Sequence, residues 1–267
     1  MTLTLLFFGD VVGDVGREAL YRALPELRSE FGADAVIVNG ENAAGGRGIT
    51  PKLCEEFFRN GVDVITLGDH AWDQQELITW LDKEEAARVL RPFNHQSGTP
   101  GHGSCILDTP KGKVAVLCLI GRTFLRPGAE NPFTVGYGEA KRLREEECIV
   151  ALFCDFHGET TSEKIAAAWR LDGLASAVIG THTHVQTADE RILPGGTAAL
   201  TDVGMCGSRD GVIGRDREAV LEGCISALPC KFPIGPWPAQ VNGVAVRIDT
   251  ETGRALSLER INRSYDK

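Results

Sequence analysis

The chain has 267 residues, 43% hydrophobic and 24% charged, which suits a soluble globular protein with a large core in one α/β unit. Its 28 Lys+Arg against 37 Asp+Glu leave a formal charge of -9, which argues against general nucleic-acid binding and against an anionic membrane surface. An anionic substrate stays open, because bound cations invert a local field. None of the eight cysteines forms a C-x-x-C pair, so a zinc ribbon or a thioredoxin-type motif is excluded. Cysteines in apolar runs, such as Cys118, read as small core residues of a reducing compartment. The first apolar run, Leu3 to Phe8, has no basic residue before it and is too short for a signal peptide or a membrane span. A cytoplasmic protein without a membrane partner is the expectation.

In chain order, Leu3 to Phe8 reads as a buried strand ending at Gly9-Asp10, and open α/β sheets place ligands at that edge. The glycines at 9, 13 and 16 do not make G-x-G-x-x-G, and no G-x-x-x-x-G-K-[ST] occurs, so dinucleotide and P-loop fingerprints are both missing. A helix follows from about Arg17 to Phe31, with Leu20, Leu24, Leu27 and Phe31 on one stripe and a kink or restart expected at Pro25. Ala35 to Val38 is a second strand, running into Asn39-Gly40-Glu41-Asn42. Pro51 to Asn60 reads as a helix capped by Thr50. Val62 to Leu67 is a third strand, delivering Gly68-Asp69-His70. Three successive strands thus end in a glycine and an acid.

Gln75 to Asp82 is a short helix and Arg88 to Arg91 a short strand. His95 and His102 fall in a connection rich in Gly, Pro, Ser and Thr and read as solvated loop residues. Gly103 to Asp108 and Lys113 to Ile120 form a hairpin around Pro110-Lys111-Gly112. Residues 121–138 read as a long irregular stretch, a candidate lid. Glu139 to Glu147 is helical. Cys148 to Cys154 is a strand leading to Asp155-Phe156-His157, with Asp155 expected to point away from His157. Glu159 to Asp172 is an amphipathic helix, and Ala175 to Ile179 a buried strand. It opens into Gly180-Thr181-His182-Thr183-His184, whose two histidines would share one face if the backbone stayed extended. Short strands at 191–193 and 198–200, a helix at 216–228 and a last hairpin, 241–248 with 255–261, complete the chain. With no repeat, linker or low-complexity tract, residues 1–267 read as a single domain.

The polar residues gathered at strand ends are Asp10, Glu41, Asn42, Asp69, His70, His157, His182 and His184. Carboxylate and imidazole donors together suit Mn, Fe or Zn and suit Ca or Mg poorly. They are too many for one four-coordinate ion, and a pair of ions bridged by a carboxylate would use them well.

The ordered motifs Gly9-Asp10-Val11-Val12-Gly13, Asn39-Gly40-Glu41-Asn42-Ala43, Gly68-Asp69-His70, His157, Thr181-His182-Thr183-His184-Val185-Gln186-Thr187 and Thr201-Asp202-Val203-Gly204-Met205 resemble the calcineurin-like metallophosphoesterase superfamily. Within it, they resemble the bacterial YmdB-type family over essentially the whole chain. The resemblance implies a four-layer α/β/β/α sandwich of two mixed sheets. It implies two metal ions per chain, Fe or Mn first and Zn next. Asp10, Glu41, Asn42 and His184 would hold one ion, and Glu41, Asp69, His157 and His182 the other, with Glu41 bridging. The implied activity is phosphodiester hydrolysis by a metal-bridging hydroxide, on a small diester of the 2′,3′-cyclic nucleotide type, with His70 as general acid. Asp155 is expected to support the ligands from behind, and Asn39, Arg122 and Asp202 are weaker supporting candidates. Two positions depart from the wider superfamily. Val12 stands where a histidine is usual, so that Asn42 would take over its place, and Asp69 stands where an asparagine is usual. A metal- and nucleotide-binding regulator with little turnover is the alternative, and a homo-oligomer is compatible with either.

Overall fold

The computed structural model describes residues 1–125 and 128–267. Its first sheet is built around β1 (Thr2–Phe8), β3 (Ala35–Asn39), β4 (Val64–Thr66) and β5 (Val89–Leu90), all parallel. On the far side of β1 the long β13 (Ala239–Asp249) runs antiparallel, flanked on its other edge by β14 (Ala255–Tyr265). The short β2 (Asp10–Val11) and β12 (Met205–Ser208) pair with each other, and β12 joins the start of β13. The second sheet has the order β10 (Arg191–Ile192), β11 (Ala198–Leu200), β9 (Ala177–Thr181), β8 (Ala151–His157), β7 (Gly112–Ile120), β6 (Ser104–Thr109). Its inner four strands are parallel and both edges antiparallel, so both sheets are mixed.

Strand alternation divides the apolar residues among three cores. Leu3, Leu5 and Phe7 of β1 face Val116, Cys118, Phe153 and Ile179 of the second sheet, and the rings of Phe7 and Phe153 meet at 4.9 Å. Leu6 and Phe8 point the other way, onto α1 (Gly13–Phe31), α2 (Pro51–Arg59) and α3 (Gln75–Trp80). Leu117, Leu152, Cys154 and Val178 leave the outer face of the second sheet and pack under α4 (Pro132–Glu146) and α5 (Thr161–Arg170). The result is the four-layer α/β/β/α sandwich. Each fully buried Leu, Ile or Phe stabilises it by about 1.5–3 kcal/mol.

Several boundaries differ from expectation. α1 starts at Gly13 and runs on through Pro25. The irregular stretch after β7 is shorter than 121–138, because Pro132 begins α4 and Asn131 caps it by accepting the Phe133 N–H. Arg126 and Pro127, part of that expected lid, lie outside the described residues. β8 spans 151–157 rather than 148–154, so His157 is its last residue. α6 (Arg217–Ser226) occupies its expected place but buries no residue. Cys54, Cys118, Cys154 and Cys206 are buried free thiols, as core cysteines should be. Among the described residues no helix is long and apolar enough to cross a membrane.

Candidate metal centre

The carboxyl ends of β1, β3, β4, β8 and β9 converge at the rim between the two sheets, where polar side chains take over from apolar packing. Glu41 and Asp69 each reach His157 Nε2 at 3.1 Å, from Oε1 and Oδ1 respectively. His182 Nδ1 lies 3.0 Å from that same nitrogen and 3.4 Å from Asp69 Oδ1. All four groups offer a donor atom within 4.8 Å of the others. Gly68 makes this approach possible, because a Cβ there would fall 2.4 Å from both Glu41 Oε2 and His157 Nε2.

Beside this cluster lies a second. His184 Nε2 is 3.3 Å from Asp10 Oδ2 and 3.2 Å from Asn42 Oδ1. Asn42 donates its amide N–H to Gly46 O at 3.2 Å, which fixes Oδ1 toward the cluster. Val12, buried beyond Asp10, offers no donor atom, and Asn42 occupies the neighbouring polar position.

The two histidines do not share a face. His182 (φ 102°) and His184 (φ 65°) both have left-handed backbone, so the chain turns between them and sends one imidazole to each cluster. The extended-backbone expectation is therefore corrected. The turn is held from below. Asp202 Oδ2 accepts the Thr183 N–H at 3.1 Å and its hydroxyl at 2.8 Å, and it is paired with buried Lys164 at 2.6 Å. Lys164 also donates to Thr181 O at 3.1 Å.

The tautomers follow from fixed partners. Ile213 O can only accept, so His184 carries its proton on Nδ1, 3.0 Å away, and presents Nε2 to Asp10 and Asn42. The Thr181 hydroxyl donates to Asp155 Oδ1 at 2.7 Å and thus accepts from His157 Nδ1 at 3.0 Å, leaving His157 Nε2 for the carboxylates. Asp155 also takes Thr66 Oγ1 at 2.5 Å and Asn39 Nδ2 at 3.1 Å on Oδ2. Two residues apart on a strand, Asp155 and His157 lie on the same side, not on opposite sides as expected. Asn39 in turn accepts the Glu41 N–H at 3.2 Å.

Electrostatics match this wiring. Burial raises the carboxyl of Asp155 to about 6. Burial opposes ionisation of Asp69 too, but hydrogen bonds from His157 and His182 outweigh it and hold Asp69 well below the usual carboxylate range. His157 is pushed down by burial and pulled further up by Glu41 and Asp69, ending well above an ordinary imidazole. Burial likewise opposes charge on Asp10 and His184, and their mutual bond lowers the first and raises the second.

His70 sits apart from both clusters. Its backbone N–H donates to Glu41 Oε2 at 3.1 Å, its ring Nδ1 faces Asp73 Oδ2 at 2.9 Å, and its Nε2 is 3.9 Å from Asp69 Oδ2. Asp73 Oδ2 also holds Arg47 Nε at 3.0 Å. Arg122 is exposed, and its backbone N–H donates to Glu163 Oε1 at 3.0 Å. His102 bridges to Leu90 through its backbone. His95, expected to be solvated, instead packs its ring on Trp72 and buries Nδ1, which has no hydrogen-bond partner among the described residues.

Sequence reasoning missed Glu159, whose Oε2 stands 3.0 Å from His182 Nε2, and it missed Lys164, Thr181, Thr66 and Arg215. With Glu41, Asn42, His70 and His184, Glu159 and Arg215 line an open cleft of ≈ 350 Å³. These partners come from distant segments, and only Thr181, inside the His-x-His motif, carried a local signal.

The donor set fits metal ions. Two imidazole nitrogens and two carboxylates crowd one point in the first cluster, and in the second Asp10 Oδ1 is fully buried with no hydrogen-bond partner. An orphaned buried carboxylate oxygen costs on the order of 1–3 kcal/mol unless something outside the protein satisfies it.

Comparisons with known proteins agree in scale. The family model described as YmdB-like protein matches residues 6–261. The 2′,3′-cyclic-nucleotide 2′-phosphodiesterase of Bacillus subtilis (strain 168) is 42% identical over 97% of this chain and 96% of its own. A crystal structure of a novel phosphatase from Mycoplasma pneumoniae superposes with a TM-score of 0.91 at 35% identity, covering all of this chain and 95% of that one. A hypothetical protein from Thermus thermophilus gives 0.88 at 37% identity, over 98% and 99% of the two chains.

Proposed function

Because the chain belongs to the YmdB-like family, we propose that it is a metal-dependent phosphoric diester hydrolase, with 2′,3′-cyclic nucleotides as its substrate class. The observation that carries this reading is the left-handed turn at His182 and His184, which aims two imidazoles into two adjacent carboxylate-bearing clusters. Glu41, Asp69, His157 and His182 would hold one ion, and Asp10, Asn42 and His184 the other, with Glu41 shared between them. Fe or Mn suits this donor set best, Zn next. When bound, such ions neutralise the phosphoryl oxygens and lower the pKa of water.

The chain's own residues do the rest. The cleft beside Arg215, Glu159 and His70 admits the diester. Asp73, a carboxylate that can only accept, keeps a proton on His70 Nδ1 and so turns Nε2 toward the reacting end of the cleft. His70 gives an Nε2 proton to the leaving 2′-oxygen as the P–O2′ bond breaks and the oxygen of a hydroxide, water that has already lost its proton to solvent, bonds to phosphorus. Arg47, paired with Asp73, anchors that carboxylate. Thr181, Asp155 and Asn39 keep His157 and Glu41 oriented, and Asp202 with Lys164 holds the turn between the two histidines.

His70→Ala tests the reading. Turnover of 2′,3′-cyclic AMP should fall about 10²–10⁴-fold while elemental analysis still finds the wild-type metal content. A wild-type protein that binds metal and nucleotide with no diester cleavage would overturn the proposal in favour of a binding regulator.

A further inference from the structure

Beyond Asp69 lies a second cavity, of ≈ 270 Å³, lined by Asp69, Trp72, His95, Gln96, Thr99 and Ile120. It is just below the range of about 300–1,000 Å³ typical of small-molecule pockets, so it fits a ligand fragment rather than a whole drug-sized ligand. Trp72 and His95 form its aromatic wall, with ring centroids 5.4 Å apart and planes tilted by 37°. Ile120 supplies an apolar surface, and Gln96 and Thr99 supply polar atoms at the rim. Its composition is that of a stacking slot with a hydrogen-bonding edge.

His95 adds the second observation. Among the described residues its buried Nδ1 has no hydrogen-bond partner, an arrangement that native interiors rarely leave unmet. Burial, with help from Arg91, lowers this imidazole to about 4, so it stays neutral at physiological pH, with one donor and one acceptor nitrogen. A neutral donor–acceptor ring beside an indole face matches a flat heterocycle with alternating donors and acceptors. A phosphate would instead meet the Asp69 carboxylate in this wall. Asp69 lines this cavity and also belongs to the histidine cluster whose Glu41 and His182 line the cleft.

We propose that this cavity receives the nucleobase of the substrate, stacked on Trp72 with its polar edge toward His95, while the cyclic phosphate lies in the cleft and the ribose passes over Asp69. The proposal rests on the diesterase reading for the phosphate end alone. Stacking on an aromatic side chain accounts for the affinity, and it tolerates either purine or pyrimidine because every base presents a π-face.

The test compares two cyclic diesters, 2′,3′-cyclic AMP and the base-free glycerol 1,2-cyclic phosphate, on the full metal-loaded protein. Wild type should prefer the nucleotide in kcat/KM. Trp72→Ala should reduce that preference about 5- to 150-fold, the span expected for one lost stacking contact, and Trp72→Phe should restore most of it. A preference unchanged by Trp72→Ala, or absent in wild type, overturns the base site while leaving the diesterase reading intact. If wild type cleaves neither diester, the diesterase reading fails. Calorimetric binding of adenosine, which has no phosphate, then decides the base site: binding that Trp72→Ala abolishes sustains it, and no binding overturns it.

Discussion

The two histidine clusters stand side by side at one sheet rim, yet they leave different things unmet. Around His157, two carboxylates face two imidazoles, and each oxygen or nitrogen named there has a neighbour at 3.0–3.4 Å. A proton kept on His157 offsets one of those two negative charges and leaves the other. Around His184 there is one carboxylate, one amide and one imidazole, and Asp10 Oδ1 has no partner at all. A proton held between His184 and Asp10 Oδ2 balances the charge there but leaves Oδ1 bare. Both clusters therefore set a proton and a cation in competition; the first lacks positive charge, the second lacks a partner for Asp10 Oδ1.

The harshest way to break this comparison is to release the turn that separates the two histidines. Lys164→Met strands the buried Asp202 carboxylate that holds Thr183, and should cost about 3–5 kcal/mol of stability, read as a lowered denaturant midpoint. An unchanged midpoint would mean the turn is held by something else. Next comes Glu41→Gln, at a residue that touches His157 with one oxygen and the His70 N–H with the other. Loss of roughly 10²–10³-fold in kcat/KM, the range for removing one electrostatic group from a reacting centre, should accompany a fall in bound metal. Full activity at full metal content would remove Glu41 from its proposed bridging place. The mildest probe is Asn42→Ala, which touches the Asp10 cluster only. Metal titration should show one site weakened about 10–100-fold and the other unmoved. Weakening of both sites alike would show that the clusters act as one.

Much of this centre is legible in the sequence because strand ends are local signals. An apolar run followed by Gly-Asp, Gly-Glu-Asn or Gly-Asp-His puts Asp10, Glu41, Asn42, Asp69 and His70 at one sheet edge whatever the exact register. The layered fold follows from the resemblance; hydrophobic alternation by itself leads only to an α/β class. What stays hidden depends on backbone angle or on distant contact. His-x-His reads as extended because nothing in the residues between announces a left-handed turn; Asp202 and Lys164, both remote in sequence, support it. Asp155 is a different case: the period of a strand already puts it on the side of His157, and its bonds to Thr181, Thr66 and Asn39 place it behind that histidine. His95 looks like any histidine in a polar loop until Trp72, 23 positions earlier, is seen against its ring.

The left-handed backbone at His182 and His184 also bears on how this segment can change over evolutionary time. Most side chains pay about 1–2 kcal/mol to sit there, and β-branched ones are worse placed still. Glycine fits the angle but carries no donor atom. Asparagine fits the angle and keeps an oxygen that can face the cluster, the same chemistry already standing at Asn42. Drift in the histidine pair is thereby channelled toward a single residue type, and relatives that have lost one imidazole should carry asparagine in its place more often than any other amino acid.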